Sequence, residues 1–403
     1  MGGGAAGFFC AVNAARIHPG LKVLLLEKTG KLLSKVRVSG GGRCNVTHQL
    51  FDTVDFAKRY PRGQNFVKKT FHQFSAADTI EWFAGRGVQL KAEADGRMFP
   101  VTDSSETIIS CLLREAAQFG VDIRMNAEVK AIRHAADGFV LALAGGQELR
   151  AQHVCVAAGG YPKSPMFDWL RALGHTVADP LPSLFTFNLP KHPITALMGV
   201  ALERARVKIE GSKLQEEGPV LITHWGLSGP AVLRLSAWGA RELAAGGYSF
   251  KAHVHWAPGQ TEADLKAAIA DARRAHPQKK VLNHQVASLP ARLWSFLLEV
   301  AGISDEQRFA DLPAKAENAL IRSLTDTVFH VEGKTTFKEE FVTAGGIQLS
   351  EVDPNTMMSR KVPGLYFAGE VLDVDGITGG FNFQHAWTSG WIAAGLKGTP
   401  EGS

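Results

Sequence analysis

Three glycines at the start of the chain, Gly2, Gly4 and Gly7, have the spacing GxGxxG. In a dinucleotide-binding turn the first permits the tight bend and the second admits a pyrophosphate to the backbone. The third lets the following helix pack closely on its strand. The helix then presents the amides of Ala5 and Ala6, and its positive dipole end, to phosphate oxygens. Glu27, followed by Lys28, lies twenty residues beyond Gly7 at the end of the apolar run from Lys22 to Leu26. A carboxylate there accepts hydrogen bonds from an adenosine ribose and disfavours a 2′-phosphate, which points to FAD or NAD rather than NADP. Only Met1 precedes Gly2, where a buried strand should deliver the turn. The expectation is a natural chain that extends a few apolar residues upstream.

Further glycine clusters separate FAD from NAD. They are Ser39–Asn45, Ala158-Gly159-Gly160, and the long segment from Gly369 to Gln384. A nicotinamide domain has no need of a distant C-terminal glycine segment, whereas FAD stretched across a domain needs contacts far from its adenosine. The cofactor candidates here are Arg43, Cys44, Asn45, Ala158, Gly159, Gly369, Glu370, Asn382, Phe383 and Gln384. The last three open a helix after Gly379-Gly380, whose positive end suits the flavin edge that gains negative charge on reduction. Asn382 and Gln384 would add side-chain hydrogen bonds there. His224 and His385 are candidate proton donors, although a lone histidine is more often a structural residue. Cys44, with no cysteine nearby in sequence, reads as buried and structural, and Lys35 and Arg37 as solvated charges.

These groups must be held by a particular set of elements. A helix is expected over Ala5–Ile17, then a strand over 22–26, a helix capped by Ser104 or Ser105, and a short strand over 121–124. Extended runs split by Asp137-Gly138 and Gly145-Gly146 predict a three-stranded antiparallel meander over 127–152. From about 186 to 256 the texture is strand-like and irregular, and helical patterns follow at 262–275, 289–301 and 312–324. A strand at 364–368 and a helix over 383–396 close the chain. The domains are therefore read as 1–185 and 341–403, both parts of a Rossmann-like α/β domain, with 186–340 as an insert on the substrate side.

The chain's 403 residues suit two or three domains, and its composition, 45% hydrophobic and 21% charged, is that of a globular enzyme. The net charge of +5 hints only weakly at acidic partners. Cys10, Cys44, Cys111 and Cys155 form no CxxC pair and no zinc-ligand pattern. A reduced, cytoplasmic protein without bound metal, signal peptide or membrane helix is expected.

The stretches GGGAAG, SGGGRCNVTH, THWGLSGPA, VTAGGIQLSEVDPNTM and GLYFAGEVLDVDGITGGFNFQHAWTSGW run through the whole chain. In that order the chain resembles the bacterial BaiN/YhiN-like flavoproteins, which include enzymes described as aminoacetone oxidases. It departs from them at the missing first strand and at His385, where an aromatic residue, usually Trp, is the family's pattern. The resemblance implies a glutathione-reductase type FAD domain interrupted by an insert with a β-barrel and a helical piece. It places Gly2, Gly4 and Gly7 on the pyrophosphate, Glu27 on the ribose, and the Val129 backbone at the adenine. Arg43, Cys44 and Asn45 would lie along the cofactor and Glu370 at the ribitol. The implied activity is hydride transfer between FAD and a small molecule, by amine oxidation or enone reduction, with NAD(P)H as a possible donor. A flavin-dependent RNA-modifying enzyme and a non-catalytic nucleotide binder are the rival classes. Nucleic acid is disfavoured because the basic stretch 202–214 also holds Glu203 and Glu210 and no aromatics. Substrate and oligomeric state stay open.

Overall fold

The computed structural model describes residues 1–335 and 342–398. The chain divides into two compact units, one of residues 1–183 with 337–403 and one of 184–336.

In the first unit Leu24–Leu26 pairs in parallel with Asp122–Arg124, and Val154–Val156 with Leu365–Phe367. Met1 and Gly2 lie between these two pairs. The Met1 amino group donates to Cys155 O (2.9 Å), the Ala157 N–H donates to Met1 O (2.8 Å), and the Gly2 N–H donates to Leu26 O (2.7 Å). Short runs of Leu, Val and Phe buried on both faces are what a parallel sheet requires.

The helix Ala5–Ile17 runs from this junction and crosses the final helix, Phe381–Ala394. Gly390 makes the crossing possible, since a Cβ there would sit 2.7 Å from Ala6 O. Phe8, Phe9, Trp82, Phe83 and Trp387 fill the space below. The final helix begins at Phe381, two residues before the glycine pattern suggests, because Gly380 takes φ +92° and serves as the N-cap. Ser104 caps Ser105–Gln118, and the meander forms as Val129–Ala135, Gly138–Leu143 and Glu148–Ala151.

The second unit is built on one curled antiparallel sheet. Thr327–Glu332 pairs with Ser249–His255, and Lys334–Thr335 pairs with Thr186–Asn188 at the other end of the strand order. Those two edge strands are consecutive in sequence, so the sheet comes round on itself through Gly333. Helices Glu262–Ala275, Ala291–Val300 and Ala314–Thr325 bury Leu265, Ile269, Leu293, Trp294, Leu297 and Leu320 in the same core as the sheet. Within 186–256, strand patterning misses the helices Pro230–Trp238 and Ala240–Ala245. Gly229-Pro230 looks like a turn, yet proline is also well placed at the first helical position.

Candidate cofactor site

The three motif glycines meet different demands. Gly2 has φ +104°, and a Cβ would lie 2.2 Å from Ala157 O; at Gly7 it would lie 1.8 Å from Gly2 O. Neither position accepts a side chain. At Gly4 a Cβ would meet nothing within 4 Å, so the backbone is open on that side. Gly4 is also the N-cap of Ala5–Ile17, with no side chain capping it. The first-turn amides of a helix have no intrahelical acceptor, so those of Ala5 and Ala6 are available to an anion.

Beside this turn lies a cavity of about 200 Å³, whose lining includes Gly2, Glu27, Lys28, Val129 and Ala158. Tyr161 and Trp169 add aromatic walls that glycine-motif reading does not reach. Lys28 is exposed, with its Nζ 5.8 Å from the Tyr161 ring centroid, and burial pushes the Tyr161 hydroxyl pKa up. The Glu27 carboxylate accepts from the Gly3 N–H (2.8 Å) through one oxygen. Through the other it accepts from the Thr29 N–H and hydroxyl (2.8 Å each). It therefore ties the glycine loop to the turn after Leu24–Leu26. An ionised carboxylate has about four acceptor positions, so one is left for a ribose hydroxyl.

The second cluster is mostly self-contained. Arg43 pairs with Glu93 (2.5 Å), lies 3.9 Å over the Phe99 ring, and is held further into its charged state by Glu93. Cys44 is fully buried at φ +63°, and burial pushes its thiol up to about 12. The Asn45 amide bridges Thr47 O and the Gly380 N–H, each at 3.0 Å. Gly380 permits that contact, since a Cβ would stand 2.4 Å from Thr47 O.

Gly159, at φ +75°, is open around its Cβ position. Gly369 donates its N–H to Ser389 Oγ (2.9 Å), and a Cβ there would meet Ala6 Cβ at 2.8 Å. Glu370 accepts from the Thr343 N–H (2.8 Å) and pairs with Lys35 (2.6 Å), so Lys35 is a solvent-exposed charge that also has an ion-pair partner. The Thr343 hydroxyl is buried with no partner among the described residues, and a Cβ on Gly160 would come within 2.5 Å of it. A buried polar group normally has a partner, and none of the described residues supplies one to this hydroxyl.

The first residues of the final helix behave unlike their sequence reading. Asn382 exchanges two hydrogen bonds with the Gly376 backbone (2.8 Å each). Gln384 accepts from Thr47 (2.7 Å) and Thr79 (2.9 Å), and donates to Ser75 O (3.0 Å) and Thr388 (3.1 Å). These side chains fix the loops on which the helix starts. Phe383 stacks on Trp387, with centroids 5.7 Å apart. What the helix offers a ligand is its uncapped N-terminus.

His385 is 2% exposed, and neither ring nitrogen has a hydrogen-bond partner among the described residues. Burial lowers its pKa to about 4, with the Gly369 backbone opposing. His224 belongs to the second unit, exposed in the turn between Gln215–Thr223 and Gly226–Ser228. Sequence reading also passes over Asp375, which is fully buried, paired with Arg62 and bonded by Ser183. Its DVDG context carries an acidic signal, but the partners come from distant segments.

The chain matches the HI0933-like protein Rossmann domain family over residues 1–396. It belongs to that family. It is 31% identical over 405 residues to the 3-dehydro-bile acid delta(4,6)-reductase of Clostridium scindens, covering 98% of this chain and 97% of that one. It is 32% identical over 410 residues to the ribosomal RNA dihydrouridine synthase of Escherichia coli, covering 98% and 96%. Among solved structures it is similar to a 3-ketosteroid delta1-dehydrogenase from Sterolibacterium denitrificans, with TM-score 0.52 and 13% identity over 98% of this chain and 97% of that one. A 3-ketosteroid-delta4-(5alpha)-dehydrogenase from Rhodococcus jostii gives TM-score 0.51 at 15% identity over 98% and 95%. The fold is a Rossmann-type FAD-binding fold and the protein an FAD-dependent oxidoreductase. No helix among the described residues is long and apolar enough to cross a membrane.

Proposed function

We propose that this protein reduces a carbon–carbon double bond conjugated to a carbonyl, drawing two electrons from NAD(P)H through FAD. The observation that supports it most is the chemistry shared by the names of two relatives, each aligned over nearly the whole chain. A 3-dehydro-bile acid delta(4,6)-reductase and a dihydrouridine synthase both add hydrogen across a double bond next to a carbonyl. The balanced reaction consumes the enone, NAD(P)H and one proton, and yields the saturated ketone or imide and NAD(P)+. Hydride reaches the carbon β to the carbonyl and the proton reaches the α carbon.

FAD supplies the two-electron carrier when bound, and the residues present suit it. The open Gly4 backbone and the Ala5 and Ala6 amides would hold the pyrophosphate, Glu27 a ribose hydroxyl, and the cavity walled by Tyr161 and Trp169 the adenine. Near the other end, Thr343 would donate or accept one hydrogen bond, and the start of the final helix would stabilise negative charge on the reduced ring. His385 does not suit the role of proton donor, because a ring with pKa about 4 is unprotonated at neutral pH. It suits a buried positioning role.

Anaerobic reduction of the purified flavoprotein by NADH or NADPH, followed by addition of cyclohexenone, uridine or RNA, tests the reading. Reoxidation of the flavin with appearance of the saturated product is the expected outcome. Failure of every conjugated acceptor to reoxidise it would refute the proposal.

A further inference from the structure

The hairpin of helices Thr53–Ala57 and Gln64–Phe71 has an unusual charge pattern. From Phe56 to Ala77 the chain holds Lys58, Arg59, Arg62, Lys68 and Lys69 and no Asp or Glu. The apolar side of the hairpin is buried through Phe56, Phe66, Val67 and Phe71, which leaves Lys58, Arg59, Lys68, Lys69 and His72 exposed. Lys58 pairs with Asp55 at 2.8 Å and Arg62 with buried Asp375. Arg59, Lys68 and Lys69 have no ion-pair partner among the described residues.

The basic stretch 202–214, where sequence reading looks first for a polyanion site, differs. Arg204 and Arg206 both pair with Glu217, at 2.5 and 2.9 Å. Its charge is largely neutralised internally.

The hairpin is also fastened to the C-terminal glycine loop. The Tyr60 hydroxyl donates to Phe381 O (2.5 Å), and the Ile377 N–H donates to Arg59 O (2.9 Å). A Cβ on Gly63 would lie 2.7 Å from Val374 Cγ2, so the two segments are in direct contact. A polyanion lying on the hairpin would therefore pass close to the start of the final helix. At the hairpin's entry Phe51 is 53% exposed, which leaves an aromatic ring accessible to a planar partner. Unpaired cations flanked by an exposed ring are the elements of single-strand recognition, where cations follow phosphates and aromatics stack on bases.

We propose that the exposed side of this hairpin is a docking surface for the phosphate backbone of an RNA strand whose uracil is the reduced substrate. The proposal rests on the enone-reduction reading and takes its substrate class from the name of the ribosomal RNA dihydrouridine synthase relative; the surface that would hold the strand is what it adds. It departs from the sequence-based expectation, which disfavours nucleic acid because the basic stretch 202–214 also holds Glu203 and Glu210 and no aromatics.

The test uses the FAD-loaded full chain and the variant R59E/K68E/K69E, with a fluorescein-labelled, uridine-rich single-stranded RNA as probe. Three lost phosphate contacts should weaken binding by roughly tenfold or more and flatten the slope of log K against log salt by about 2. FAD content and melting temperature of the variant serve as the folding control. Unchanged RNA affinity and salt slope in a folded variant would overturn the surface. So would wild-type protein that ignores RNA but binds phosphatidylserine vesicles through these residues. In parallel, cyclohexenone is added to the reduced wild-type enzyme. Reoxidation by cyclohexenone without hairpin-dependent RNA binding refutes the surface alone. Hairpin-dependent RNA binding with no reoxidation by any conjugated acceptor refutes the reaction instead.

Discussion

His385 gives the sharpest stability prediction. Its ring, on the final helix, is buried beside the Gly369 backbone, and both nitrogens lack hydrogen-bond partners among the described residues. In the folded protein it titrates at about 4 against an ordinary value of 6.5. Folding therefore favours the neutral ring, while the unfolded chain takes up a proton as pH drops through 6.5. For a group with a depressed folded pKa, the associated stability is full above the unfolded value and is lost as pH falls toward the folded one. Between pH 7 and pH 5 this single ring should remove about 2 kcal/mol of stability, at 1.36 kcal/mol per unit once the unfolded ring is protonated. His385→Phe, close in volume and lacking both nitrogens, removes that slope and the cost of two buried unpaired polar atoms. Urea midpoints of wild type and variant at pH 7, 6 and 5, at fixed FAD concentration, measure it. The variant should gain on the wild type steadily as pH falls. Equal acid slopes would show that the ring is protonated or solvated in the folded state, and the reasoning would fail.

Other perturbations separate the cofactor's cradle from its scaffold. Gly4→Ala should leave the melting temperature nearly unchanged but weaken FAD binding, measured by titration into apoprotein, because its Cβ position is empty in the free protein. Gly7→Ala should destabilise the fold itself, since its Cβ would overlap Gly2 O; a folded variant with unchanged denaturation would contradict the geometry. Glu27→Ala should weaken FAD binding by about 1–3 kcal/mol. It should also lower apoprotein stability, because three internal hydrogen bonds are lost. Asp375→Ala leaves Arg62 without its buried carboxylate and should cost about 3–5 kcal/mol in denaturant unfolding.

The fold is most legible in the sequence where one local signal decides the outcome. Ala5–Ile17 and Glu262–Ala275 form over the residues read for them, the second because Thr261 and Asp264 make a complete capping box. The meander follows Asp137-Gly138, where Gly138 takes φ +131° and a Cβ would strike Ala151 O. The helix at Pro230 escapes sequence reading because Gly-Pro is equally a turn signal, and only the burial of Ala231, Val232 and Leu235 decides between them. The two-helix hairpin over 53–71 escapes it for its short helices, five and eight residues, which are too brief for a periodic pattern.

Within the candidate site the divide follows how polar atoms are shared out, which no spacing encodes. Gly2, Glu27, Lys28, Val129 and Ala158 line one cavity although they come from four separate stretches, because the Rossmann turn gathers strand ends at one edge of the sheet. Gln384, one turn into a helix that follows a glycine loop, looks from the sequence like a flavin ligand. Its four hydrogen bonds go instead to Thr47, Ser75, Thr79 and Thr388, three of them roughly three hundred residues away along the chain. A buried amide has about four such bonds to make, so an amide with all four made inside the protein has none left for a ligand. The same count read in reverse singles out Thr343, a fully buried hydroxyl with none made among the described residues, on a strand that the sequence marks only as Gly/Thr-rich. Position near a glycine turn therefore says which residues come together around one cavity. The tally of hydrogen bonds already made inside the protein narrows which of them have any left to offer.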